Sequence, residues 1–245
     1  MPEMGVKILT KNKAVFFDLY GTLINIRTDE GDVSIYEVLS RYLSYHSVFI
    51  SPDVLKKTYF EKVQQHISQS KEPFPEVDVY KIFFNIMHTF GKGKYPQKTV
   101  IDISMLFRSL TIRRFEAFEG IYDNLAEICD RYKTALISDA QWVFTEPEIR
   151  ILGIDRFFKY QIFSSRYGFK KPDERLFNIA MKKLDVKPKD SIYIGDNPAR
   201  DLIGAKKAGM KFLLFRTSCK NYNGFEADGC FNEYHELQSL LSQIV

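Results

Sequence analysis

Asp18 ends the apolar run AVFF and is followed at once by LYGT, so a carboxylate stands at the mouth of a glycine turn that carries the hydroxyl of Thr22. Three later runs also deliver polar groups at their ends. KTALIS leads into Ser138-Asp139, and YQIFSS is followed by a short loop to Lys170-Lys171-Pro172. SIYIG leads into Asp196-Asn197, with Asp201 a little further on. A carboxylate, a hydroxyl, an ammonium and a second carboxylate can attack a phosphorus or carbon centre, hold anionic oxygens and bind a hard cation. One position is out of keeping with that set. Two residues after Asp18, where a second carboxylate would make an acid/base partner, the chain has Tyr20.

Each group alone has a plainer reading. Ser138 could make local backbone bonds at a strand end. Adjacent lysines are usually solvated, and Asp196-Asn197-Pro198 could do no more than cap a helix. The argument for chemistry therefore rests on the elements that bring the groups together. Residues 13–18, 133–138, 160–165, 191–196 and 211–215 are short apolar runs with polar ends, which suit buried parallel strands. Helical stretches over about 120–131, 143–152, 174–184 and 199–208 separate the later ones. That alternation predicts an α/β fold with a doubly wound parallel sheet, in which ligands sit outside the carboxyl ends of the strands.

Between the first strand and the second, the texture changes. Ile35, Val38, Leu39, Tyr42 and Leu43 follow a helical spacing, as do Val79, Ile82, Phe83, Ile86, Met87 and Phe90. Ser51-Pro52-Asp53 reads as the start of a helix running to about residue 69. A fourth helix is expected over about 97–112, with Ile103, Leu106, Phe107 and Leu110 on one face. No strand pattern interrupts them. The expected organisation is an α/β core over 1–25 and 116–245, with an all-helical insert over 26–115.

Composition narrows the class. Hydrophobic residues make up 45% and charged residues 27% of the 245, as in ordinary globular proteins. A net charge of +4 comes without a basic block or aromatic–basic alternation, so nucleic acid is not an expected partner. Cys129, Cys219 and Cys230 form no CxxC pair, which points to neither a zinc site nor a disulfide framework. The opening MPEMGVKILTKNK lacks an apolar stretch of signal-peptide length, and no run of about 18 apolar residues occurs. The expectation is a cytoplasmic protein with reduced thiols and no membrane partner.

With the motifs assembled, the chain resembles the haloacid dehalogenase (HAD) superfamily. DLYGTL (18–23) is similar to its first motif, LISD (136–139) to its second, GFKKPD (168–173) to its third and IGDNPARD (194–201) to its fourth. The insert resembles that family's small helical cap, which makes the sheet domain a Rossmann-like core. The resemblance implies a hydrolase in which Asp18 is the nucleophile and forms a covalent aspartyl intermediate. Thr22 and the turn's N–H groups would cradle the transferring group, Ser138 would donate to it, and Lys171 would neutralise charge. Lys171, which precedes Pro-Asp, fits the third motif better than Lys170, which is expected to face solvent. A Mg²⁺ ion is implied on Asp18, the Tyr20 carbonyl and Asp196, supported by Asp201. The expected substrate is a small phosphorylated metabolite.

Tyr20 sets up the competing readings. Phosphatases of this family carry Asp there, whereas DxYGT is similar to the metal-independent 2-haloacid dehalogenase branch. That branch lacks the leading aspartate of the fourth motif, and this chain keeps Asp196 and Asp201, which favours a cation and hence phosphate. A weakly active binding protein is the third reading, suggested by the missing acid/base carboxylate. In the cap, Arg27, Arg41, Lys94, Arg108, Arg113 and Arg114 are candidates for a second anionic group on the substrate. Tyr45, Phe60 and Phe74 are expected in the cap's core, and His46, His66, His88 and His235 fit no motif.

Overall fold

A computed structural model describes residues 12–216 and 221–244. Residues 1–11 and Cys219, on which parts of the compartment reading rest, lie outside them. The central strand β1 (Ala14–Phe17) has every residue buried, because the sheet is covered on both faces. Val15 and Phe17 pack with Ile121, Leu125 and Ile128 of α5 (Ile121–Arg131) and with Leu237 and Leu241 of the C-terminal helix. Ala14 and Phe16 point the other way, into a layer with Leu176, Phe177 and Ala180. Alternate residues thus serve opposite faces, and the strand reads as an unbroken apolar run.

Around β1 lie β4 (Lys133–Ser138), β5 (Tyr160–Phe163), β6 (Ser191–Gly195), β7 (Lys211–Phe215) and β10 (Gly229–Phe231). Their order across the sheet is β10-β7-β6-β1-β4-β5, and every pairing is parallel. Phe17 is level with Leu136 and Ile194, so Asp18, Ser138 and Asp196 leave the sheet within a residue of one another's height. Helices α6 (Trp142–Ile151), α7 (Glu174–Leu184), α8 (Ile203–Lys207) and α9 (Tyr234–Ile244) complete the layers. Among the described residues, no helix is long and apolar enough to cross a membrane.

The insert contains α1 (Val33–Tyr45), α2 (Pro52–Gln69), α3 (Val79–Phe90) and α4 (Gln97–Thr111). Asp32 and Asp78 cap α1 and α3, accepting from Ser34 N at 3.0 Å and Tyr80 N at 3.1 Å. Ser51 stands at the head of α2 with extended backbone, but its hydroxyl makes no capping bond; Pro52 opens that helix. Ile35, Leu39, Leu43, Ile82, Phe83, Ile103 and Phe107 form the cap's apolar core, and Val143 and Phe144 of α6 close it from the sheet domain.

Several expectations need correction. The segment 26–115 is not free of strands: β2 (Ile24–Thr28) and β3 (Ile112–Ala117) form an antiparallel ribbon at its two ends. Ile24, Ile26, Phe115 and Ala117 of this ribbon pack against the sheet-domain core, but each short strand supplies only two of them, too few to stand out as an alternating run. The three-residue β10 is too short for any periodicity to register. The helix expected over 199–208 begins as a wide π turn, Pro198–Leu202, before α8. Tyr45 is 83% exposed and Phe60 36%, so neither is a core residue, and Val38 also lies exposed.

Candidate active site

Asp18 continues the β1 ladder by donating its N–H to Ile194 O at 2.8 Å, and the chain then folds into a tight loop. The N–H groups of Leu23 and Ile24 both donate to Leu19 O, at 2.7 and 2.9 Å. Gly21 adopts φ +88°, and a Cβ there would come within 2.5 Å of Asp196 Oδ2. Only glycine lets the loop take this turn and lie against that carboxylate. Thr22 is fully buried and donates from Oγ1 to Asp196 Oδ1 at 3.4 Å. Tyr234 of α9 pins the same loop, donating to Thr22 O at 2.7 Å.

Lys171 is the hub of the site. It is buried, and its Nζ donates to Asp18 Oδ1 at 2.8 Å, to Asp201 Oδ1 at 2.6 Å and to Tyr193 OH at 3.0 Å. Burial alone would push its ammonium down, but Asp18, Asp201 and Asp139 hold it above the usual lysine range. Tyr193 in turn donates to Ile137 O at 2.8 Å. The lysine's own N–H donates to Asp139 Oδ1 at 2.8 Å, which fixes the loop that delivers it. Asp139 Oδ2 is buried without a hydrogen bond and lies 3.6 Å from Arg200 Nη1.

Asp201 is completely buried and uses both oxygens, one on Lys171 and the other on the N–H of Asn197 at 3.0 Å. The π turn after Asn197 brings it inward. Ligand oxygens of Asp18, Asp196 and Asp201 all lie within 4.8 Å of one another. Burial, then the charges of Asp18 and Asp201, push the Asp196 carboxyl up to about 7. Lys171 pairs with two of these three carboxylates and leaves Asp196 beside them, and the all-oxygen donor set suits a hard divalent cation. The residues present fit a metal.

Ser138 ends β4 and is buried at the same strand-end level. Lys170 is not simply a solvent-facing residue. It is partly buried, and its N–H donates to Phe74 O at 2.9 Å, so its backbone is stitched to the cap loop. Glu76 of that loop donates its N–H to Gly168 O at 3.0 Å, and its carboxylate accepts from Ser164 Oγ at 2.7 Å and Gln141 Nε2 at 3.3 Å.

The Tyr20 hydroxyl donates to Glu148 Oε2 and lies 3.0 Å from Thr145 Oγ1, both on α6. Burial, then the charge of Glu148, holds the phenol far above the ordinary tyrosine range, so it stays protonated. Arg108 of the cap grips Glu148 from the other side, Nε to Oε1 at 2.6 Å and Nη2 to Oε2 at 3.3 Å. Of the basic cap residues considered for substrate, Arg108 is thus committed to an ion pair. Arg113 bonds Asp32, and Arg27, Arg41, Lys94 and Arg114 are exposed.

Sequence reasoning assigned no role to Tyr193, Asp139, Glu148 or Glu76. Tyr193 sits inside an apolar strand and reads as core. Glu148 and Glu76 read as ordinary surface acids, and only Asp139, beside Ser138 in LISD, carried a usable signal.

The profile of the haloacid dehalogenase-like hydrolase family matches residues 15–215. The chain belongs to that family. It is 26% identical over 206 residues to the glyceraldehyde 3-phosphate phosphatase of Methanothermobacter thermautotrophicus, covering 82% of this chain and 84% of that one. To the enzyme of the same name from Pyrococcus furiosus it is 36% identical over 85 residues, a stretch spanning only 35% of either chain. The solved structure of a 2-haloacid dehalogenase from Pseudomonas syringae pv. Tomato superposes with a TM-score of 0.61 over 95% of this chain and 99% of that one, at 19% identity, a likeness of fold. The protein is a hydrolase of this family with phosphatase relatives.

Proposed function

We propose that the protein is a Mg²⁺-dependent phosphatase acting on a small phosphorylated metabolite through an aspartyl-phosphate intermediate. The observation that carries this reading is the carboxylate triad Asp18, Asp196 and Asp201, of which Lys171 pairs with Asp18 and Asp201. Asp18 attacks phosphorus, forming a carboxylate oxygen–phosphorus bond as the bond to the leaving oxygen breaks. Water then attacks the same phosphorus, which releases phosphate and restores Asp18. Lys171 holds Asp18 in place and offsets its charge, while Ser138 and Thr22 steady the phosphoryl oxygens; the N–H groups of residues 21–24, expected to join them, are turned inward on Leu19 O and Ile24 O. Bound Mg²⁺, held by Asp18, the Tyr20 carbonyl and Asp196 with Asp201 in support, would supply the positive charge that lets two anions meet. In this reading residues 1–25 and 116–245 form the catalytic core, and 26–115 form the cap that excludes water.

The Tyr20 hydroxyl is already given to Glu148, so it is poorly placed to protonate a leaving group or activate water. The reading therefore favours substrates whose leaving group departs without a proton, such as aryl or acyl phosphates. Tyr20 also supports a second reading, dehalogenation of a 2-halo acid without metal. Phosphorylated metabolites and 2-halo acids assayed with and without Mg²⁺ separate the two. Mg²⁺-dependent phosphate release is expected, whereas metal-independent halide release would replace the phosphatase reading. Asp18→Asn should lower turnover by about 10⁴-fold or more, the scale found when a covalent nucleophile is removed. Retention of near-normal turnover would move the nucleophile elsewhere.

A further inference from the structure

The contact between cap and core is not a simple apolar seam. Arg108 leaves α4 of the cap and crosses to α6 of the sheet domain, where it meets Glu148 with side-chain exposures of 13% and 7%. Its guanidinium also lies over the Tyr20 ring, 5.5 Å from the centroid, and over the Phe144 ring at 5.3 Å. Glu148 takes the Tyr20 hydroxyl on the oxygen that Arg108 Nη2 also approaches. Tyr20 is two residues from Asp18, in the loop whose N–H groups turn back on Leu19. A cap residue, a core helix and the loop of the nucleophile are thus joined by one buried polar chain.

That chain has one good arrangement. Without Arg108, Glu148 would be a buried carboxylate held by Tyr20 alone, an unfavourable state. Without the Tyr20 hydroxyl, Glu148 keeps both contacts with Arg108, but the loop is no longer tied to it. The loop's geometry is therefore sensitive to whether the cap is seated, and the sensitivity runs through Tyr20, by its hydroxyl on Glu148 and by its ring beneath Arg108.

We propose that Arg108 is a positioning residue that acts through Glu148 on Tyr20, so that seating of the cap sets the conformation of the Asp18 loop. That the loop is catalytic rests on the reading above; that the three residues are coupled does not.

Hydrogen–deuterium exchange of the full chain, followed at the amides of residues 18–24 without substrate, tests the coupling. Wild type, Arg108→Met, Tyr20→Phe and the double variant form a cycle. Exchange in this segment should rise by about tenfold in Arg108→Met, and by far less when Arg108→Met is added to Tyr20→Phe, which keeps the ring but not the bond to Glu148. Arg108→Lys keeps the charge without the two-pronged grip and should give a smaller rise in the same cycle; it serves in place of Arg108→Met if the latter does not fold. A cap lock that is merely structural would leave residues 18–24 protected, or would loosen them equally with and without the Tyr20 hydroxyl. Either result overturns the proposal. Because the readout needs no turnover, a failed phosphatase assay does not affect it.

Discussion

Lys171 Nζ and Asp18 Oδ1 meet at 2.8 Å although 153 positions separate the residues along the chain, and the same ammonium lies 2.6 Å from Asp201 Oδ1. The lysine is thus shared between the proposed nucleophile and a carboxylate whose two oxygens are both occupied. Removing it would leave buried carboxylates facing one another.

Lys171→Ala should therefore destabilise the protein by about 3–5 kcal/mol, the cost of breaking a buried ion pair from one side. Lys170→Ala, whose backbone bond to Phe74 O survives the change, should shift stability little. Urea unfolding of both variants makes the comparison, and equal losses would contradict the central role given to Lys171.

The triad makes a prediction about metal. Mg²⁺ should raise the thermal unfolding midpoint of the wild type, because a ligand that binds only the folded state stabilises it. In Asp196→Asn that rise should be largely lost. An unchanged Mg²⁺ response would remove Asp196 from the metal site.

Glu76 gives a pH dependence with a definite sign. Burial raises its folded-state pKa above the ordinary 4.5, against the Ser164 hydrogen bond and the charge of Lys170, while Asp139 raises it further. A raised carboxylate binds protons more tightly when folded, so its stabilising contribution is full below about pH 4.5 and declines as pH rises through the folded value. Glu76→Gln keeps a side-chain partner for Ser164 and Gln141 but cannot ionise. Unfolding midpoints of variant and wild type should lie close together in acid and separate towards neutral pH, with the variant the more stable. A constant difference across pH would show that Glu76 does not titrate on unfolding.

Tyr20 bears on the rate-limiting step. General acid–base assistance is worth roughly 10²–10⁴-fold, and the Tyr20 hydroxyl offers little of it to an attacking water. Rapid mixing with p-nitrophenyl phosphate should release about one equivalent of nitrophenol in a burst, followed by a slow steady phase. Tyr20→Asp should raise the steady rate more than the burst rate. A linear time course in the wild type, together with an unchanged steady rate in Tyr20→Asp, would show that dephosphorylation is not limited at this position.

The sequence by itself determined the strands that end in Asp18, Ser138 and Asp196, because a strand covered on both faces must be apolar throughout and can become polar only at its end. It also determined three cap helices from apolar residues at helical spacing and the fourth, α2, from Ser51-Pro52-Asp53 at its start, and it singled out Lys171 over Lys170. Only the tertiary structure decided where the Tyr20 hydroxyl goes, since its partners Thr145 and Glu148 lie 125 and 128 positions away. The same holds for Tyr193, an apolar-strand residue until Lys171 arrives beside its hydroxyl, and for Arg108, one of several cations considered for a substrate anion until α4 docks on α6. Periodic burial is written locally, one element at a time. The partner of a buried polar atom depends on which elements pack together, and no spacing within a single element records that.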